Sequence, residues 1–196
     1  MKVIGITGNF GTGKSFVASI FRESGAQVID ADKVAHEVIG KGSPGYRKAV
    51  RIFGKGILGR KGNIDRKELA GIVFSDRKKL KILNSIIHPA VITYIRKRIK
   101  KAHGNALVVI DAPLLIEAGL AGILDSLIVV KCSREKQINR CMGKFKMKKE
   151  EVVKRIQNQM PMSRKIRLAD FVIDNNGTKS QTKKQVLKIL KEMVWR

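Results

Sequence analysis

Residues Gly8-Asn9-Phe10-Gly11-Thr12-Gly13-Lys14-Ser15 read GxxxxGKS, a spacing whose chemistry is phosphate binding. Its glycines let the backbone curl until successive N–H groups face one concavity, which an anion fills. A helix starting at the same point adds the positive end of its dipole. Gly11, Thr12 and Gly13 then cradle the phosphates, Lys14 reaches the β- and γ-phosphates, and the Ser15 hydroxyl holds Mg²⁺. The expected ligand is a nucleoside triphosphate with its magnesium ion. A second candidate set is acidic: Asp30 and Asp32, Asp111, and Asp174. Such carboxylates suit Mg²⁺ coordination or activation of a hydroxyl nucleophile. Each also suits an ordinary helix N-cap, so both readings stay open.

Both sets need a scaffold, and the apolar pattern supplies one. Val3–Ile6 reads as a short buried strand before the glycine loop, and Phe16–Phe21 as a helix with an inward face behind it. Further strands are predicted at Gln27–Asp30, Ala106–Asp111, Ser126–Lys131 and Phe171–Asp174. Helices are predicted at Ala31 to about Ile39, around Tyr46–Phe53, at Arg66–Phe74 and from Arg77 through Arg98 with a break at His88-Pro89. A closing helix runs from Thr178 to Trp195, with Trp195 as a core plug. Alternating strands and helices predict an α/β fold, a five-stranded parallel sheet with helices on both faces. Ligands in such sheets sit beyond the carboxyl ends of the strands, where the glycine loop and the acids fall.

At 196 residues the chain suits one domain carrying a small inserted subdomain or lid. No apolar run approaches the roughly 20 residues that span a bilayer, and Met1 leads straight into a strand rather than a signal peptide. Cys132 and Cys141 lack metal-ligand spacing and read as free thiols. A cytoplasmic protein without a structural metal site is expected. The net charge of +25 is spread over nearly every segment, as for solvated helix faces and attraction to a polyphosphate. A nucleic-acid module would carry a basic stripe with interleaved aromatics, which is not seen. A GTPase switch would carry an Asn-Lys-x-Asp motif after a late strand, and none is present.

Several blocks, taken together, resemble the dephospho-CoA kinase family. They are the loop from Gly5 to Ser15, Asp30-Ala-Asp32-Lys-Val-Ala-His36, Ile87-His88-Pro89 and Asp111-Ala-Pro-Leu-Leu-Ile-Glu117. Arg155-Ile-Gln-Asn-Gln159 and Ala169-Asp170-Phe-Val-Ile-Asp174-Asn-Asn-Gly177 complete the series. The resemblance covers about residues 3–177. It implies a P-loop kinase three-layer sandwich over residues 1–196, a helical acceptor-binding insertion at about 31–100 and a lid at about 141–149. It also implies transfer of the γ-phosphoryl of MgATP to the ribose 3′-hydroxyl of dephospho-CoA, the last step of coenzyme A synthesis. Asp32 matches the family's proposed base, Lys14 and Arg140 meet the ATP phosphates, and Asn175 and Gly177 lie against adenine. His88, Leu115 and Glu117 fall at the acceptor site. His36, one turn from Asp32, either orients that base or is merely solvated. A kinase for another small acceptor, such as a nucleoside monophosphate, would share the fold and the loop. No membrane or specific nucleic acid is expected as a partner; oligomeric state stays open, with a monomer preferred.

Three residues depart from the family pattern. Asn9 stands where glycine is usual, and asparagine tolerates left-handed backbone angles. Phe16 stands where threonine is frequent, leaving its main-chain N–H as the phosphate contact. Lys144 replaces a second lid arginine, a point charge in place of a bidentate fork. His103, before a strand, is expected to end a helix and to have no role.

Overall fold

The computed structural model describes residues 1–102 and 106–194; His103 and Trp195 lie outside them. The chain divides into two compact units, Met1–Asp30 with Ala102–Arg196, and Ala31–Lys101.

The first unit is built on β1 (Lys2–Thr7), β2 (Gln27–Asp30), β3 (Leu107–Asp111), β4 (Ser126–Lys131) and β5 (Phe171–Asp174). They form one sheet in the order β2-β3-β1-β4-β5, every pair parallel. Near-continuous aliphatic runs make this possible, because a parallel sheet is buried on both faces. On one face Ile4, Ile6, Val109, Ile128, Val130 and Ile173 pack against α1 (Lys14–Glu23) and α9 (Lys179–Val194). Those helices supply Val17, Ile20, Phe21, Val186, Ile189 and Met193. On the other face stands Gly5. A Cβ there would lie 2.4 Å from Leu124 Cδ1 and 2.8 Å from Leu115 Cδ1, so the segment after β3 packs directly on the bare β1 backbone. The register sets Ile6 beside both Asp111 and Ile128, so the ends of β3 and β4 flank the start of the glycine loop. The chain passes from β1 through α1 to β2 on one side and later from β3 across to β4 on the other, and right-handed crossovers in opposite directions put their connecting segments on opposite faces.

Between β4 and β5 run α6 (Arg134–Phe145), α7 (Lys149–Gln157) and α8 (Met162–Arg167). The stretch expected as a lid is therefore mostly helical. Cys141 to Phe145 form the last turns of α6, Lys146 takes a left-handed φ of 54° as its cap, and Lys149 opens α7.

The second unit holds α2 (Ala31–Val38), α3 (Pro44–Phe53), α4 (Arg66–Phe74) and α5 (Arg77–Lys100) around Ile39, Ala49, Ile57, Leu69, Val73 and Leu83. The Ser43 hydroxyl accepts from Tyr46 N at 3.0 Å, and Pro44 fills the first helical position. Helix α3 thus starts two residues before the expected Tyr46. Asp65 and Asp76 cap α4 and α5 in the same way.

The expected break at His88-Pro89 does not occur. Helix α5 continues through Pro89, with Leu83 and Ile86 buried before it and Val91 and Ile95 after it. The proline removes one backbone N–H, but anchors on both sides hold the helix together. Among the described residues no helix is long and apolar enough to cross a membrane.

The sheet centre sets stability. Ile128 is fully buried, so Ile128→Ala is expected to lower it by about 2–5 kcal/mol, measured as a fall in the urea midpoint. An unchanged midpoint would contradict the two-sided packing.

Candidate active site

The glycine loop leaves β1 and enters α1 through two left-handed glycines, Gly11 at φ 82° and Gly13 at φ 92°. Gly13 is the N-cap of α1 and offers no side-chain acceptor, and the first turn of that helix carries no acid. The helix start is therefore left to an outside anion. Lys14 is half-buried and Ser15 exposed in this turn. The Ser15 hydroxyl is a hard oxygen donor of the kind Mg²⁺ takes. Among the described residues no group of three or more His, Cys, Asp or Glu could hold a metal. The set fits an ion that draws most of its oxygens from phosphates and water.

If the loop turns its N–H groups inward, its carbonyls must find donors elsewhere. The Asn9 carbonyl accepts from Thr12 N at 3.1 Å and Thr12 Oγ1 at 2.9 Å. The Thr12 carbonyl accepts from Asn175 Nδ2 at 2.7 Å and Arg140 Nη1 at 3.3 Å, while Arg140 Nη2 donates to the Asn175 carbonyl at 3.0 Å. Thr182 Oγ1 donates to Asn175 Oδ1 at 2.8 Å. The buried Asn175 side chain is thereby spent on bracing the loop, and a Cβ on Gly13 would stand 2.1 Å from its Nδ2. Arg140 has used two of its donors on the same brace and keeps others for a ligand. Phe10 N donates to Gln159 Oε1 at 2.7 Å. The Phe10 ring stacks on Phe145 at 5.3 Å and lies under the Arg155 guanidinium at 5.4 Å.

Asn9 does not use the left-handed region. Its side chain is buried, and Nδ2 donates to the Met160 carbonyl at 3.4 Å. Phe16 N donates to the Gly13 carbonyl at 3.1 Å as part of the helix start. Asp174 ties the turn after β5: its Oδ1 accepts from Asn176 N and Nδ2, and its Oδ2 meets Lys131 Nζ at 3.4 Å. Burial pushes this carboxyl up, but those partners outweigh it and hold it below the usual range. Gly177 is exposed in the same turn.

Past β3, Leu115 is fully buried toward Gly5, so its side chain belongs to the core. Glu117 Oε1 accepts from Met160 N at 3.1 Å and pairs with Lys165 Nζ at the same distance. Lys144 is exposed, with its ammonium 5.4 Å from the Phe145 ring. Cys132 and Cys141 are buried free thiols, and burial pushes both above their ordinary value.

In the second unit, Asp32 lies exposed in the first turn of α2, and His36 is exposed one turn later. His88 sits within α5, half-buried, and burial pushes its imidazole below its ordinary value.

Three residues in the loop's support were given no role from sequence: Gln159, Thr182 and Lys165. The need for donors at the loop's outward carbonyls is foreseeable, but their sources lie more than 120 residues away in the chain. Asn175→Ala removes one of the two donors to Thr12. It is expected to weaken nucleoside triphosphate binding about tenfold, or about 1.4 kcal/mol, in a calorimetric titration. Unchanged affinity would mean that the loop holds its shape without this brace.

The dephospho-CoA kinase family profile matches residues 2–181. A dephospho-CoA kinase of Aquifex aeolicus is 47% identical over 193 residues, covering 98% of each chain. The solved structure of TT1252 from Thermus thermophilus superposes with a TM-score of 0.88 at 33% identity, covering 98% of this chain and 97% of that one. The dephospho-CoA kinase structure from Campylobacter jejuni gives 0.72 at 28% identity, covering 97% and 96%. This chain belongs to the dephospho-CoA kinase family.

Proposed function

We propose that the protein transfers the γ-phosphoryl of MgATP to the 3′-hydroxyl of the ribose of dephospho-CoA, making coenzyme A. The observation that carries this reading is the glycine loop: a braced anion cradle at an acid-free helix start, in a chain of this family. Both substrates are water-soluble polyanions, and we place the enzyme in the cytoplasm.

Phosphoryl transfer asks little covalent chemistry of a protein and much positioning and charge neutralisation. Main-chain N–H groups of Gly11, Gly13, Lys14 and Ser15 and the helix dipole receive the phosphates, and Lys14 neutralises the oxygens of the transferring group. Thr12 and Phe16 stand beside them, their N–H groups donating to the Asn9 and Gly13 carbonyls. Ser15 would hold Mg²⁺, which when bound screens the charge between the β- and γ-phosphates. Arg140 supplies its remaining N–H donors beside the brace. Asn175 and Gly177 border the base through their main chain. Asp32, two residues past β2, accepts the proton of the ribose hydroxyl, an otherwise weak nucleophile. His36, His88, Leu115 and Glu117 are assigned to the acceptor side. Because Leu115 is core-packed, its part is through the main chain. The segment of about 141–149 excludes water, which would otherwise take the phosphoryl group.

The test is coupled ATP consumption with dephospho-CoA, AMP, CMP, adenosine and no acceptor. Turnover confined to dephospho-CoA is expected; turnover on a nucleotide would keep the fold and discard this substrate. Asp32→Asn is expected to cut kcat by about 100-fold or more, with ATP affinity changed by less than about threefold. If Asp32→Asn keeps wild-type kcat, another group takes the proton.

A further inference from the structure

Lys165 is the one lysine among the fully buried large side chains of the described residues, at 0% exposure. A buried ammonium survives only where its N–H donors are met and its charge is balanced. Here Nζ donates to the Pro113 carbonyl at 2.6 Å and pairs with Glu117 Oε1 at 3.1 Å. Both partners lie in the segment that follows β3. The same Pro113 carbonyl also accepts from Thr7 Oγ1 at 3.2 Å, and Thr7 is the last residue of β1, where the glycine loop begins. Glu117 Oε1 in turn accepts from Met160 N, and the Met160 carbonyl accepts from Asn9 Nδ2 inside the loop. One residue earlier, Gln159 Oε1 takes the Phe10 N–H.

These contacts close a ring through three separate stretches: the end of β1 with the glycine loop, the strand-end segment 112–117, and the α7–α8 connection continuing into α8 as far as Lys165. Lys165 is its charged centre. Burial lowers the Lys165 ammonium, while the Glu117 carboxylate raises it and the Lys14 charge lowers it further.

We propose that Lys165 is a positioning residue for phosphoryl transfer. Through Pro113 and Glu117 it holds the acceptor-side segment 112–117 in register with the glycine loop. The proposal rests on the kinase reading given above. Nucleotide binding has its own brace, since Asn175 and Arg140 hold the Thr12 carbonyl without Lys165. The two functions should therefore separate. Loss of Lys165 disturbs the acceptor and the transfer geometry and spares ATP.

The experiment compares wild type, Lys165→Met, Glu117→Gln and the double variant. Each is assayed for kcat and KM with dephospho-CoA, for ATP affinity by calorimetry and for Tm. Lys165→Met is expected to lower kcat/KM for dephospho-CoA by about tenfold or more, with ATP affinity within about threefold of wild type. Because the pair acts as one unit, the double variant is expected to be no worse than Lys165→Met alone. A lower Tm with unchanged kcat and KM would make the pair purely structural and overturn the proposal. So would multiplicative losses in the double variant, or equal losses for ATP and acceptor. If Lys165→Met does not fold, Glu117→Gln alone decides. It keeps the Pro113 bond, and wild-type kcat/KM in that variant overturns the proposal. Wild type inactive on dephospho-CoA would refute the kinase reading instead, which the same assay reports separately.

Discussion

A phosphate loop works by facing its N–H groups inward, and that forces its carbonyls outward, where each needs a donor. In this chain the Thr12 carbonyl concentrates the requirement. Asn175 comes from the end of β5 and Arg140 from α6; both reach the same oxygen and bind to each other. The sheet order makes this possible, because β1 sits centrally, with β4 and then β5 on one side. The elements that end nearest the loop are the ones that hold it. A cradle so braced keeps its shape, and little ordering entropy remains to be lost when a ligand binds.

The far side of the loop has its own support, of a different chemical kind. Gln159 and Met160 meet Phe10 and Asn9, and the Lys165–Glu117 pair anchors that connection to the end of β3. Asn175 and Arg140 hold one flank by direct bonds to the loop carbonyl, and the buried ammonium of Lys165, paired with a more exposed Glu117, ties the connection on the other flank to the segment after β3. Lys14 and Ser15, which we propose meet the phosphates and their magnesium ion, are left without a structural task in either brace. That division lets the scaffold be rigid while the reactive groups stay available.

Much of this was legible in the sequence because it is local. Aliphatic runs bounded by glycine or acid marked all five strands, and GxxxxGKS marked the loop. Pro89 misled, because a proline breaks an isolated helix, yet buried neighbours on both sides carry α5 through it. Asn9 suggested a left-handed turn but instead uses its amide across 151 residues of chain. Lys165 was invisible for a simpler reason: lysine is almost never fully buried, and nothing in Met162-Ser163-Arg164-Lys165 distinguishes it from its exposed neighbour Arg164. Asn175 was placed at the nucleotide by motif, but its buried role in the brace depends on a partner 163 residues away. Long-range hydrogen bonds have no periodicity to read.

The atom that receives the phosphoryl group defines the reaction. Purified protein would be incubated with MgATP and dephospho-CoA, and the product examined by mass spectrometry and by phosphorus–proton correlation NMR. A single added phosphate coupled to the ribose 3′ proton is expected, with one ADP formed per product. A phosphate at another position, or ADP released without any acceptor product, would contradict it.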